Sequence, residues 1–392
     1  MPLSGIRVID LTRVVSGPFC SMFLADMGAD VIKIETPREG DSVRRQGATR
    51  NGLSWYFAAY NRNKRSVTLD LRHDEGRAVL ARLIEGADVL VDNFRPGVLE
   101  RMGFTPERLA VLKPDLVRAS ITGFGDDGPY RDRPAFDFIA QAMSGFMSVT
   151  GSPDGEPLRA GPPISDLIAG LQGALGICAA LVQRGRTGRG AQVGASLTNG
   201  LISFLSYLAA DYLETGREPA RTGNDHPILA PYGLFRTADG EVAIAPANEA
   251  IYRKFLEAIG APELAEDPAY ATNALRVRRR RAINQAVEAK LAAGTTAHWI
   301  DQLNAAGVPC GRVQSLAEVF ADPQVRAQEM VVTIDHPGRG PVDMLGFPIK
   351  FTDSPPPPRR PAPELGAHTD EVLAELGLTA SEIARLREQG VI

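Results

Sequence analysis

The sequence predicts an α/β fold with a largely parallel sheet, joined to a second, smaller unit. Three observations lead there. Strand-like apolar runs alternate with helix-like periodic runs from Ile6 to Phe124, the pattern of a parallel sheet covered by helices on both faces. The chain has 392 residues, 44% hydrophobic and 23% charged, enough apolar material for two or three compact units. After Gly216 the texture changes to the Pro- and Gly-punctuated "REPARTGNDHPILAPYG", which reads as a connection.

Taken in order, "IRVID" reads as a strand, "FCSMFLADMG" as a helix and "DVIKIE" as the next strand, which makes one βαβ unit. The strand "SVTLDL", a helix through "EGRAVLARLIEGA", the strand "DVLVDNF", a helix through "VLERMG" and the strand "LVRASITGF" continue an open, Rossmann-like sheet. A helix around "DFIAQAMSGFM", a long apolar helix after Asp166, the turn "GRTGRG", the strand "QVGASL" and one helix over "LISFLSYLAADYLETG" follow. In the second unit, "GLFRTADGEVAIAPA" places two β-type runs around the turn signal "ADG" and predicts a hairpin. Helical patterns in "EAIYRKFLEAIG" and "RAINQAVEAKLAA" come next. From "VVTIDHPGRGPVDMLGFPIKFT" the chain is strand- and turn-rich. It crosses "SPPPPRRPAP", expected to be an extended connector, and ends in two short helices. The expected division is residues 1–215 with 331–392 as the large unit, 216–224 as linker and 225–330 as the small unit.

Composition excludes several function classes. A net charge of −4 gives no whole-molecule basic field for nucleic acid or an anionic membrane. "MPLSGIRVID" lacks a charged-then-apolar leader, and the apolar run Leu167–Val182 is interrupted by Gln172 and short for a bilayer. The expectation is a cytoplasmic protein that binds neither membrane nor nucleic acid. Three cysteines without a CxxC pair point to neither disulfides nor zinc. The five histidines show no ligand spacing such as HExxH, so no metal is expected.

The first strand-to-helix loop, "LTRVVSGP", lacks the spaced glycines that let backbone approach a pyrophosphate, which argues against a dinucleotide despite Glu35 ending the second strand. Arg13, Ser16 and Gly17 remain there, where doubly wound sheets bind ligands. Basic residues recur near the expected carboxyl ends of strands: Arg38, Arg44, Arg45, Arg62, Lys64, Arg65, Arg72, Arg95, Arg101 and Arg133. Several are expected to face one crevice and hold an anionic cofactor through bidentate hydrogen bonds. "RVRRRR", residues 276–281, reads instead as a solvated or ion-paired face beside a helix start. Asp166 stands at the mouth of "DLIAGLQGALGICAALVQR". Ser165 or Asp166 can serve as helix N-cap, although Ile168 and Ala169 supply no capping box. A carboxylate fixed beside an apolar wall is equally a nucleophile for an activated acyl group, thioesters above all, because a thiolate leaves easily.

These residues resemble the family III CoA-transferases, the group that includes formyl-CoA transferase, carnitine CoA-transferases and alpha-methylacyl-CoA racemase. The resemblance runs from "LSGIRVIDLTRVVSGPFCSMFLADMGADVIKIE" through "NRNKRSVTLDLR", "DVLVDNFRPGVLERMGF", "SITGFGDDGPY", "GVPCGRV" and "DP" to "LGAHTDEVLAELG", nearly the whole chain. It implies a CoA-transferase that moves CoA from an acyl-CoA donor to a free carboxylic acid, with Asp166 as nucleophile through an aspartyl anhydride and an aspartyl-CoA thioester. Coenzyme A is then substrate, and no tightly bound cofactor is implied. The CoA-contacting positions fall on Val15 and Ser16, on Leu69, Asp70, Leu71 and Arg72, on Asn93, Phe94 and Arg95, on Arg101, and on Arg133, Pro134, Ala135 and Phe136. Arg72, Arg95 and Arg101 would recognise phosphate and adenine. The implied fold is a Rossmann-like large domain built from both chain ends, a smaller α+β domain between them, and two chains interlocked as a homodimer.

Two departures bear on the reaction. Racemases of the family carry "GHD" where this chain reads "AFD", and the phenyl ring of Phe136 cannot move a proton. The glycine-rich "GGGG" loop of formyl-CoA transferase is replaced by the shorter "GNDHPILAPYG", which argues against oxalate as acceptor. His226 in that segment can meet an acceptor carboxylate or serve a structural hydrogen bond. The competing readings are an acyl-CoA racemase or isomerase of the same family and a non-catalytic CoA-binding protein.

Overall fold

A computed structural model describes residues 1–354 and 359–392. The prolines at 355–358, four of the ten residues of the expected connector, lie outside the described residues. The chain forms two compact units: one from Met1–Phe146, Arg159–Ala210 and Gln324–Ile392, the other from Met147–Leu158 and Asp211–Pro323.

The first unit is built on six strands, β1 (Arg7–Asp10), β2 (Asp30–Glu35), β3 (Arg65–Thr68), β4 (Val89–Asp92), β5 (Val117–Thr122) and β6 (Ala191–Ser196). All pairings are parallel, in the order β3-β2-β1-β4-β5-β6. Growth runs one way from β1 to β3, then reverses to β4, as in a doubly wound sheet. Ile9 sits opposite both Ile32 and Leu90 in this register. Because strand side chains alternate between faces, Ile9, Ile32 and Leu90 enter one core and Val8, Val31, Val89 and Val91 the other. Both faces being covered, these strands are apolar nearly throughout.

One face packs against α1 (Ser16–Asp26) and a long helix, the other against α2 (Asp74–Glu85) and the C-terminal residues Val372, Leu373, Ile383, Leu386 and Val391. The helix Asp137–Met143 is α3 and the long one, Ile164–Thr187, is α4. By length and composition α4 is apolar enough to cross a bilayer. It begins three residues before the expected apolar run, and Ile168, Ala169, Gly173, Ala174, Ile177 and Ala180 are buried within the unit. The single helix expected over Leu201–Gly216 is two, Leu197–Phe204 and Ser206–Thr215, because Ser206 takes a left-handed φ of 53° that breaks the run.

The second unit holds a three-stranded antiparallel sheet. Gly233–Arg236 pairs with Glu241–Ile244 around Ala238-Asp239-Gly240, and Cys310–Gly311 adds to the other edge of Glu241–Ile244. Helices Glu249–Ala258, Arg280–Leu291 and Thr296–Ala305 cover it through Phe235, Ile244, Phe255, Ile283, Val287 and Leu303. Of the solvated or ion-paired face expected at 276–281, Arg276 takes the ion-paired form and is buried: it is 3% exposed, donates to the carbonyls of Ala230 and Tyr270, pairs with Glu249, and lies 4.0 Å from the centre of the Tyr252 ring. A guanidinium with that many acceptors tolerates burial where a lone one does not.

Candidate active site

The site is built where the sheet reverses, at the carboxyl ends of β1 and β4. The β1–α1 loop turns sharply at Val14, whose φ of 69° is unusual for a β-branched residue. A buried charge network holds it there. Lys33, 0% exposed in mid-β2, donates to the Thr12 carbonyl at 2.7 Å and pairs with Asp41 at 3.1 Å. Asp41 in turn accepts the Val14 amide at 3.2 Å. Below, Asp10 accepts from the Thr12 amide at 2.8 Å, from the Ser21 hydroxyl at 2.7 Å and from buried Lys64 at 3.1 Å. Burial drags the Lys64 ammonium down to about 8 against the pull of Asp10. Sequence reading missed this network; its one trace was a lysine inside the otherwise apolar "VIKI".

A cavity of about 560 Å³ opens above the loop. Val15, Ser16, Asn93, Phe94, Arg95, Arg133, Pro134, Ala135, Phe136 and Asp166 all line it, together with Arg13, Thr122 and Arg131. A second cavity of about 410 Å³ shares Arg13 and Phe94 and is lined by Leu69, Asp70, Leu71 and Arg72, with Arg38 and Met102. Arg101, at the end of the helix Val98–Arg101, lines neither. Arg72 stands exposed but tethered, its guanidinium 2.6 Å from Asp70, whose carboxyl that contact holds down at about 2. A recess of about 320 Å³ adjoins through Phe94 and Arg95; in it the buried Asp92 carboxyl is pushed up to about 7 by desolvation.

Four of the basic residues expected in the crevice are engaged elsewhere. Arg62, Lys64 and Arg65 precede or open β3, at its amino end, and pair with Asp26, Asp10 and Asp30 respectively. Arg44 pairs with Glu35 and lies 3.6 Å from the centre of the Phe57 ring. The Glu35 oxygens are thereby occupied, Ser66 and the Asp41 amide also donating to them.

Asp166 is not a helix cap, nor is Ser165. The N-cap position of α4 is Pro163, which offers no side-chain bond, and Asp166 is the third helical residue. Capping comes from Asp137, at the start of α3, which accepts the Ser165 amide at 2.9 Å and the Ser165 hydroxyl at 2.8 Å. The Asp166 carboxyl is therefore left to face the cavity, partly exposed. Burial, then the neighbouring Asp137, push it up to about 7, while a hydrogen bond from the Ser16 hydroxyl pulls the other way. Tyr56 and Tyr60, which the sequence gave no reason to select, respond to its charge: both phenols are raised, by burial first and then by acidic and phenolic neighbours that include Asp166, Tyr60 to about 12. A half-neutral carboxyl in a cleft rimmed by Arg13, Arg95, Arg131 and Arg133 has the chemistry of a nucleophile or a general acid–base beside a site of positive charge. Among the described residues no cluster of three or more metal-binding side chains exists.

His226, in the second unit, makes the local contacts of a structural histidine. Its ring lies 4.7 Å from that of Tyr232, and its Nδ1 accepts the Ile228 amide at 3.2 Å.

Residues 3–369 match CoA-transferase family III. The chain is 42% identical to the acetyl-CoA:oxalate CoA-transferase of Acetobacter aceti, covering 93% of each protein. It is 40% identical to the succinate–glutarate CoA-transferase of Agrobacterium fabrum over 96% of each, and 37% identical to the succinyl-CoA–D-citramalate CoA-transferase of Chloroflexus aurantiacus over 98% of that protein. A crystal structure of a CAIB/BAIF family protein from Brucella suis superposes with a TM-score of 0.84 at 39% identity, covering 96% of this chain and 99% of that one.

Proposed function

The chain belongs to CoA-transferase family III, and from that premise we propose that it transfers CoA from an acyl-CoA to a dicarboxylic acid through covalent intermediates on Asp166. The observation that carries the reading is the Asp166 carboxyl, released from capping by Asp137 and lining the cavity at the sheet reversal. Its oxygen attacks the thioester carbon, the C–S bond breaks, and the electron pair leaves on the CoA thiolate, giving an aspartyl anhydride. The thiolate attacks the aspartyl carbon and expels the donor's carboxylate, leaving an aspartyl-CoA thioester. The acceptor carboxylate displaces CoA, and the returning thiolate attacks the acceptor's acyl carbon and frees Asp166. Every bond broken is replaced, so neither water nor an oxidant takes part.

CoA would lie across the two cavities, its nucleotide end toward Arg38 and Arg72 and its thiol toward Asp166, with Val15, Ser16, Asn93, Phe94, Arg95 and Arg133–Phe136 along the way. Arg72 and Arg95 fit phosphate contacts, whereas Arg101 has no support from its position. A dicarboxylic acceptor is favoured because oxalate, glutarate and citramalate, the acids in the relatives' names, each carry two carboxyl groups. The absence of a glycine-rich loop weighs against oxalate among them. Racemase chemistry lacks a partner acid–base: Phe136 is a phenyl ring and Asp137 is engaged in capping.

Incubation with succinyl-CoA followed by hydroxylamine or borohydride should label Asp166, and Asp166→Ala should lose turnover by at least about 10³-fold while still binding CoA. Full turnover in that variant would end the covalent reading.

A Rossmann-like reading of the first unit is supported by its strand order. An interlocked homodimer is supported by large apolar side chains left exposed on its helices, among them Phe138 and Met143 on α3, Leu171, Leu175 and Val182 on α4, and Ile202 and Phe204. Sedimentation equilibrium should return twice the chain mass at micromolar concentration; a monomer would remove the dimer. A cytoplasmic location fits CoA thioester substrates and is read by fractionation.

A further inference from the structure

Ser16 stands among the positions matched to CoA contact, yet its surroundings give it a different task. It is the first residue of α1, 5% exposed, so its hydroxyl has no preceding helical turn to bond. Two close approaches fix the backbone that carries that hydroxyl. A Cβ on Gly17 would fall 2.3 Å from Thr12 Cβ, so the turn into α1 is closed against side chains. A Cβ on Gly170 would fall 2.5 Å from the Ser16 carbonyl oxygen, so α4 rides directly on the Ser16 backbone. Asp166 lies four residues before Gly170, on the same face of α4 one turn away, and it lines the same cavity as Ser16, whose hydroxyl lowers the carboxyl's pKa by hydrogen bonding. Asn93 supports the hydroxyl from the other side. Its Oδ1 accepts the Arg13 amide at 2.8 Å, its Nδ2 donates to the Arg13 carbonyl at 2.7 Å, and Nδ2 stands 3.5 Å from Ser16 Oγ. The Lys33–Asp41 network locks the same loop.

We propose that Ser16 is a positioning residue for the Asp166 nucleophile, its hydroxyl holding one carboxyl oxygen so that the other faces the thioester. The inference rests on the reading of Asp166 as nucleophile. The held oxygen remains the carbonyl oxygen of the aspartyl anhydride and of the aspartyl thioester. When thiolate or acceptor carboxylate adds to the aspartyl carbon, the electron pair of that C=O moves onto the oxygen Ser16 already bonds. The hydroxyl stabilises it until the leaving group departs and the C=O reforms. In the resting enzyme the same bond favours the ionised carboxylate against burial and Asp137. The groups facing Asp166 are Asp137 from α3, Tyr56 and Tyr60 from the helix Trp55–Asn61, and the arginines Arg13, Arg95, Arg131 and Arg133 lining the cavity.

The test compares wild type with Ser16→Ala, Ser16→Thr and Asp166→Asn, each checked for folding by its thermal melt. Ser16→Ala is expected to bind CoA as wild type does, to lose kcat by about 10- to 100-fold, and to move the acid limb of its pH–rate profile upward by half a unit or more. Asp166 should still be labelled, more slowly, and Ser16→Thr, which keeps the hydroxyl, should recover most of kcat. If Ser16→Ala does not fold, Ser16→Cys replaces it as the variant without a hydroxyl. Loss of CoA affinity with an unmoved acid limb would overturn the proposal and return Ser16 to cofactor contact; so would wild-type kcat without the hydroxyl. An active Asp166→Asn instead removes the nucleophile, a result distinct from failure of Ser16 alone.

Discussion

At the scale of single residues, the charge of Asp166 links the proposed catalysis to stability. Its carboxyl titrates at the ordinary 3.8 in an unfolded chain and at about 7 in the folded protein, raised by burial and by Asp137. The folded pKa being the higher, folding is favoured by the neutral form: that contribution is complete below 3.8 and is lost as pH rises through 7. Asp166→Asn should therefore stabilise the protein at pH 8 by roughly 1–3 kcal/mol, partial solvent access keeping it below the ~1.4 kcal/mol per pH unit limit. At pH 4 it should change little. Paired denaturant titrations read this, and equal gains at both pH values would show that the carboxyl is unshifted. Because the proposed attack requires the anion, kcat/KM of wild type should fall below about pH 7; a limb at pH 4–5 would contradict it. The sequence offered Asp166 as cap and as nucleophile together, and the Asp137 contact takes the capping from it.

Among the elements, the contact of α1 with α4 decides the geometry of the site. Gly170 and Gly173 bring the helices together, Gly170 against backbone and Gly173 within 3.3 Å of Cys20 Sγ as judged by an added Cβ. A backbone carbonyl cannot swing aside as a side chain can. Gly170→Ala gains up to ~1 kcal/mol in helix propensity but meets an overpacking cost of ~1–3 kcal/mol. The cost should win, with lower stability and a reduced kcat as Asp166 lifts from Ser16; a raised melting temperature with unchanged kcat would refute the close approach. Reading elements from periodicity succeeded where strands were buried on both faces, as in "DVIKIE" and "DVLVD". It failed at Ser206, because a left-handed residue without glycine leaves no periodic signal.

Across the whole molecule, the last residues of the chain finish what the first begin. β3 is an edge of the six-stranded sheet, and its outer side is satisfied by the C-terminal segment. The Ser66 amide donates to His368 Nδ1, the His368 amide to the Ser66 carbonyl, the Thr68 amide to Thr369 Oγ1 and the Asp70 amide to the Val391 carbonyl. An unprotected edge invites pairing with another chain. Val372, Leu373, Ile383, Leu386 and Val391 also enter the core beneath α2. At roughly 1.5–3 kcal/mol for each buried side chain, their loss is on the order of 10 kcal/mol, comparable with the whole stability of a domain. Removal of residues 366–392 should leave aggregated protein without a cooperative melt; a soluble truncation melting as wild type does would show that the edge is dispensable.

The sequence by itself determined the alternation of elements and the parallel sheet, which follow from local periodicity. The positions matched to CoA contact came from family resemblance, and all of them but Arg101 line the two cavities. Tertiary structure alone decided which acid caps and which faces the cleft, that Arg62, Lys64 and Arg65 belong to buried ion pairs, and that a lysine inside β2 braces the site. The reason is physical: a buried charge is tolerated only beside its counterion, and those counterions lie in other elements, from eight residues away for Lys33 and Asp41 to 54 for Lys64 and Asp10, where no local pattern can announce them.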